Sequence, residues 1–136
     1  MKKTLESPKV AKTKGPYVQG VAVSDGTLIY TSGVVARDAK ARIQGVGDIR
    51  RQTRQCLKNI EHIIRAGGGS LEDLVKVTVF LRDLRDYAGM NEVRREVLAD
   101  VAFASSTVQA QLNAPEALVE IEAVAFVGKS LRGDKS

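Results

Sequence analysis

Apolar and polar residues alternate most regularly over 74–81, where Val75, Val77, Val79 and Leu81 fall on one side and Lys76, Thr78 and Phe80 on the other, with Arg82 continuing the second row. A period of two predicts a strand. Residues 118–127 repeat the pattern with a difference. Val119, Ile121, Ala123, Ala125 and Val127 make a wholly apolar face, and Leu118, Glu120, Glu122, Val124 and Phe126 make a second face that is apolar except for its two carboxylates. Upstream the period changes: Ile49, Thr53, Cys56, Leu57, Ile60, Ile63 and Ile64 recur at helical spacing. This predicts a helix that starts on an Asp48 N-cap and ends near Gly67-Gly68-Gly69. Met90, Val93, Val97 and Leu98 predict a second helix over roughly 86–99.

The remaining segments fill in the order. Residues 18–23 and 27–31, separated by Ser24-Asp25-Gly26, read as two strands of a hairpin, Asp-Gly being the strongest short turn signal in the chain. Residues 36–47, with Arg37, Asp38, Lys40, Arg42, Gly45 and Gly47, read as a loop, and Ser70-Leu71-Glu72-Asp73 as a turn with capping character. Residues 107–112 allow a short extra strand before Pro115. The expectation is a single α+β domain over 1–136, ordered ββαβαβ, with flexible ends at 1–14 and 128–136. Two helices on such connections cover one face of the sheet. The second apolar face of 118–127 therefore predicts an interface and a homo-oligomer.

Composition changes this picture little. A chain of 136 residues with 43% hydrophobic and 27% charged residues is ordinary for one globular domain. The longest uncharged apolar run, 123–127, is too short to span a bilayer, and the basic start lacks the apolar stretch of a secretion signal, so no membrane partner and a cytoplasmic location are expected. Cys56, the single cysteine, allows no internal disulfide and lies on the apolar stripe of the first helix as a small buried hydrophobe. His62 is the single histidine, which leaves too few candidates for a metal site or a His-based triad. The net charge of +5 resides in the ends: residues 1–15 and 128–136 carry eight Lys or Arg against two acids, whereas 16–127 carry thirteen against fourteen. With three Phe, three Tyr and no Trp, none set among basic residues, a nucleic-acid partner is not expected.

Candidate chemistry centres on Glu120 and Glu122. A carboxylate in an apolar strand is partly desolvated, which suits it to proton transfer near neutrality. Structural ion pairs account for such carboxylates as well, and the pattern alone does not separate the two residues. Gly15-Pro16-Tyr17 and Ser32-Gly33 are turns whose backbone could approach a ligand, while Gly67–Gly69 suits a helix end. No phosphate-loop pattern occurs.

These segments together resemble one known family. Gly15-Pro16-Tyr17, Thr31-Ser32-Gly33, the stretch 52–60 from Gln52 through Cys56 to Asn59, residues 74–83, Asn91-Glu92-Val93 and 118–125 match the RidA/YjgF pattern in order and spacing over about residues 13–127. The resemblance implies a chorismate-mutase-like fold, a homotrimer and small-molecule clefts between subunits. It also implies cofactor-independent hydrolysis of enamines or imines, derived from amino acids or resembling aminomuconate, to a keto compound and ammonia. The alternative is a ligand-binding or regulatory trimer without catalysis. Carried over by position, Glu120 orients or activates the attacking water, Tyr17 lines the cleft, Ser32 and Gly33 offer backbone contacts, and Asn91, Ser105, Ser106 and Thr107 flank the ligand.

One position departs from the pattern. Ser105 stands where active deaminases of the family carry an arginine that grips the substrate carboxylate with two parallel hydrogen bonds. Serine keeps the space without the charge. Either another cation, with Arg37 the first candidate, anchors the acid, or the ligand has no carboxylate.

Overall fold

The computed structural model describes residues 1–129. Strand β4 (Leu74–Leu81) follows the alternation closely: Val75, Val77, Val79 and Leu81 are buried, and Lys76, Thr78 and Phe80 are half-exposed. Strand β6 (Val119–Gly128) lies antiparallel beside it, with Val79 opposite Ile121 and Phe80 opposite Glu120. Helix α1 (Ile49–Ala66) starts where Asp48 accepts a hydrogen bond from the Arg51 N–H, and its Cys56, Leu57, Ile60 and Ile64 sink into the core. The shorter helix α2 (Tyr87–Val97) packs beside α1 and contributes Met90 and Val93. Burial of these faces, each large side chain contributing roughly 1.5–3 kcal/mol, holds the domain together.

The extra strand suggested at 107–112 forms, but three residues earlier, as β5 (Ala104–Gln109), parallel to β4. Parallel pairing needs a crossover, and α2 supplies it. The four-stranded sheet is completed by β3 (Gly26–Tyr30), giving the order β3-β6-β4-β5.

Two expectations at the start of the chain are corrected. The hairpin across Asp25-Gly26 does not form: β3 pairs with β6, while β2 (Gly20–Val23) pairs with β1 (Lys2–Leu5) in a separate two-stranded sheet. Asp25 turns the chain with a φ of 60°, and Gly26 lies so close to the Val127 carbonyl that a side chain would strike it. The edge of β6 is thus the stronger partner for β3. Nor is 1–14 a free tail, because β1 is a strand and the Lys2 ammonium donates to the Leu74 carbonyl at 2.8 Å. Burial lowers the Lys2 pKa, against a smaller opposing effect of the Asp73 charge. Of the expected flexible end at 128–136, Gly128 closes β6 and residues 130–136 lie outside the described residues.

Both helices cover the same face of the large sheet. The register puts Leu28, Tyr30, Lys76, Thr78, Phe80, Ser106, Val108, Glu120, Glu122 and Val124 on the other, where Tyr30 is 71% exposed and Leu28 and Val108 each 45%. Among the described residues, no helix is long and apolar enough to cross a membrane.

Gln52 is fully buried and sews this arrangement together. Its amide donates to the Gly45 and Glu116 carbonyls and its oxygen accepts the Leu118 N–H at 2.8 Å, so α1 is tied to the loops on either side of the cleft described below. Gln52→Ala leaves these buried groups unpaired and should lower the unfolding free energy by about 3 kcal/mol, read from the urea midpoint.

Candidate functional site

Beyond Tyr30 the chain continues alongside β6. The Thr31 N–H donates to the Ala123 carbonyl at 2.9 Å, and Val34 and Ile121 exchange bonds of 2.8 and 2.9 Å. Three steps on one chain face two on the other, so Ser32 and Gly33 form a bulge. Among the described residues neither the Ser32 nor the Gly33 N–H donates a hydrogen bond, leaving two backbone donors free. The Glu120 carboxylate lies against this bulge: a Cβ on Gly33 would fall on it.

The bulge and Glu120 open into a cleft of about 960 Å³, which Arg37 lines from the loop and Asn59 and His62 line from α1. The Asn59 amide donates to the Val35 and Arg37 carbonyls at 3.2 and 2.8 Å, and this holds the loop against the helix. Asp38 folds the loop on itself by accepting the Lys40 and Arg42 N–H groups and the Gln44 amide. These bonds, the Arg42 N–H foremost, hold its carboxyl below the usual range. Arg37 is exposed and makes no ion pair among the described residues. The pattern could not separate the two strand carboxylates, but the fold does. Both lie on the open side of β6, Glu120 opposite Phe80 and Glu122 opposite Thr78, yet Glu120 lines the cleft beside the bulge while Glu122 is exposed and does not.

Gly33→Ala should leave the protein folded, since the obstructing group is the end of a flexible side chain, yet displace the carboxylate. Any activity that uses Glu120 should fall about tenfold or more, the usual effect of misplacing a reacting group. Circular dichroism and a turnover assay on one preparation check both halves.

The other candidates gather elsewhere. The Val18 N–H bonds to the Phe103 carbonyl at 2.9 Å, bringing Tyr17 to the start of β5. There the Arg94 guanidinium sits 6.0 Å from the Tyr17 ring centre and 5.6 Å from that of Phe103. It donates to Ser105 Oγ at 2.7 Å and to Asn91 Oδ1 at 3.0 and 3.3 Å. Tyr17, Asn91 and Ser105 thus form one cluster around Arg94, and Thr107 lies on the same side of β5, half-buried. Ser106 does not join them, because strand alternation turns it to the open face, where its hydroxyl meets the Lys76 ammonium at 3.2 Å.

Arg94 is absent from the sequence-derived candidates. The available signal was its position: four residues after Met90 and one after Val93, it falls on the buried stripe of α2, where an arginine needs a reason. Ser105 itself carries no charge, but a guanidinium touches its hydroxyl.

Cys56 lies beneath the cleft with its thiol pointing at the Val34 and Val119 carbonyls. Burial and, secondarily, the Glu120 charge push it up to about 12. A thiol so protonated is inert. A disulfide reagent at neutral pH should leave the native protein unmodified and titrate one thiol per chain in denaturant. Among the described residues no three His, Cys, Asp or Glu side chains are grouped to hold a metal ion.

Known proteins are similar to this chain in sequence and fold. Residues 7–127 match the family model described as endoribonuclease L-PSP. A RutC family protein of Pyrococcus horikoshii is 39% identical over 126 residues, 93% of this chain and 98% of that relative. The 3-aminoacrylate deaminase RutC of Acinetobacter baylyi is 39% identical over 112 residues, 82% of this chain and 87% of the relative. Among solved structures, E. coli TdcF with bound serine is similar at a TM-score of 0.70 and 33% identity, over 93% of this chain and 99% of that one. The chain belongs to this family, the RidA/YjgF family, and has its α+β fold.

Proposed function

We propose that this protein is a cofactor-independent deaminase that hydrolyses an enamine or imine, derived from an amino acid or resembling aminomuconate, to a keto compound and ammonia. The observation that carries the reading is the Glu120 carboxylate set against the two free N–H groups of the Ser32-Gly33 bulge in an open cleft. In such a site the backbone donors hold a polar substituent of the substrate, and the carboxylate takes a proton from water as its oxygen attacks the imine carbon. The tetrahedral adduct then collapses: the carbon–nitrogen bond breaks as the adduct's hydroxyl gives up its proton and becomes the carbonyl, and nitrogen leaves as ammonia with that proton and the one Glu120 received. An enamine first tautomerises to its imine by taking a proton on carbon and losing one from nitrogen. No electrons are exchanged, so no redox cofactor is called for. The relative from Acinetobacter, a 3-aminoacrylate deaminase, supports the same chemistry.

The active assembly is a homotrimer. The open sheet face, with Tyr30, Leu28 and Val108 exposed, supports a second copy as its cover. In a symmetric ring the Glu120 cleft of one subunit would meet the Tyr17, Asn91, Ser105 and Thr107 cluster of the next. Separation of the two clusters within one chain is what an intersubunit site requires. The test is ammonia release from enamines generated in the assay, with the trimer verified by light scattering. A rate no faster than buffer would remove the reading.

A further inference from the structure

Among the described residues Arg94 is the one charged side chain that the fold buries outright, at 1% exposure. Its polar contacts are neutral: the Asn91 amide oxygen and the Ser105 hydroxyl. None of the five ion pairs among the described residues includes it, and Glu92 and Glu96 on its own helix turn to Arg50 and Arg54 of α1. Two aromatic rings flank the guanidinium, and burial lowers its pKa while the nearby Tyr87 and Tyr17 oppose that effect. Arginine nevertheless stays charged in proteins. A buried cation without a counter-ion is costly, and an arriving anion offsets that cost.

Ser105 connects this charge to the cluster around it. Its oxygen accepts the Arg94 Nη1–H at 2.7 Å, and among the described residues its own proton is donated to nothing. A hydroxyl whose oxygen is engaged by a guanidinium is a polarised donor, and a charge-assisted chain of this kind is stronger than a neutral one. We propose that Arg94, acting through Ser105, supplies the positive charge that recognises a ligand carboxylate. The anion is then held by a hydroxyl on β5 backed by a charge on α2. The class of ligand, a small 2-oxo or 2-imino acid, rests on the deaminase reading; the role of Arg94 as a positioning residue rests on its own geometry.

The test uses pyruvate and pyruvamide, which differ in a carboxylate against a neutral amide, binding to the full-length protein by calorimetry. The wild type should prefer pyruvate by about tenfold or more, the scale of one charge-assisted contact. Arg94→Gln, which keeps a donor but no charge, should abolish the preference. Arg94→Lys should keep most of it. A clamp that merely joins α2 to β5 would weaken both ligands alike and would not rank the variants by charge. If Arg94→Gln fails to fold, the Arg94 Nε–H resonance of the wild type should shift with pyruvate and stay in place with pyruvamide. Equal binding of the two ligands, an undiminished preference in Arg94→Gln, or an Arg94 resonance indifferent to pyruvate overturns the proposal. Carboxylate preference without ammonia release would instead sink the deaminase reading and leave the Arg94 assignment standing.

Discussion

Replacing Glu120 by Gln should leave the fold and assembly unchanged and lower ammonia release by about a hundredfold or more, the scale of losing a proton-transfer group. The substitution is close to isosteric, so it tests the proton and little else. Glu120 is half-buried and its strand neighbours Val119 and Ile121 carry the core contacts, so the side chain at 120 is not what holds β6. The loss should appear in kcat rather than in KM, because the group acts on the attacking water rather than on the bound substrate. Full activity of Glu120→Gln would take the carboxylate out of the mechanism and leave the bulge donors without a partner.

The second large effect concerns assembly. Leu28 and Tyr30 are among the more exposed apolar residues of the isolated subunit, and substitutions at such positions in a monomer usually change stability by less than about 0.5 kcal/mol. On a covered face the same substitutions bury charge against apolar surface. Leu28→Asp combined with Tyr30→Asp should therefore leave a folded subunit of 14.7 kDa, whereas the wild type should scatter as the proposed trimer of about three times that mass. Activity should be lost with the trimer, although neither residue lines the Glu120 cleft, because the Tyr17 and Ser105 cluster would no longer face it. A monomeric variant with full turnover would show that one subunit holds a complete site.

The elements legible in the sequence are those whose pattern and partners are local. Strand β4 and helix α1 are periodic over enough residues for one face to dominate, and Asp48 marks the start of α1 with a cap that the structure uses. The start of the chain was misread for the opposite reason. Lys2, Lys3 and Thr4 have little strand character of their own, and their order comes from Val23, Ala22 and Val21, far along the chain. Asp25-Gly26 is a good local turn, but the partner waiting for β3 is β6, about a hundred residues later, and tertiary pairing overrode the hairpin. In the site, Glu120, Gly33 and Arg37 were legible and meet in one cleft. Ser106 was carried in with its neighbours, although alternation along β5 turns it away. Arg94 was missed because its residue type argues for solvent, while the contact that gives it meaning, to Ser105, crosses the α2–β5 connection.

The most direct test is the release of ammonia from the wild-type protein offered 2-aminoacrylate, 3-aminoacrylate and an aminomuconate-type enamine, each generated in the cuvette. At least one should be converted to its keto product and ammonia in equal amounts, roughly a hundredfold or more above the spontaneous rate. Rates equal to buffer for every member of the panel, with the protein folded and trimeric, would contradict it.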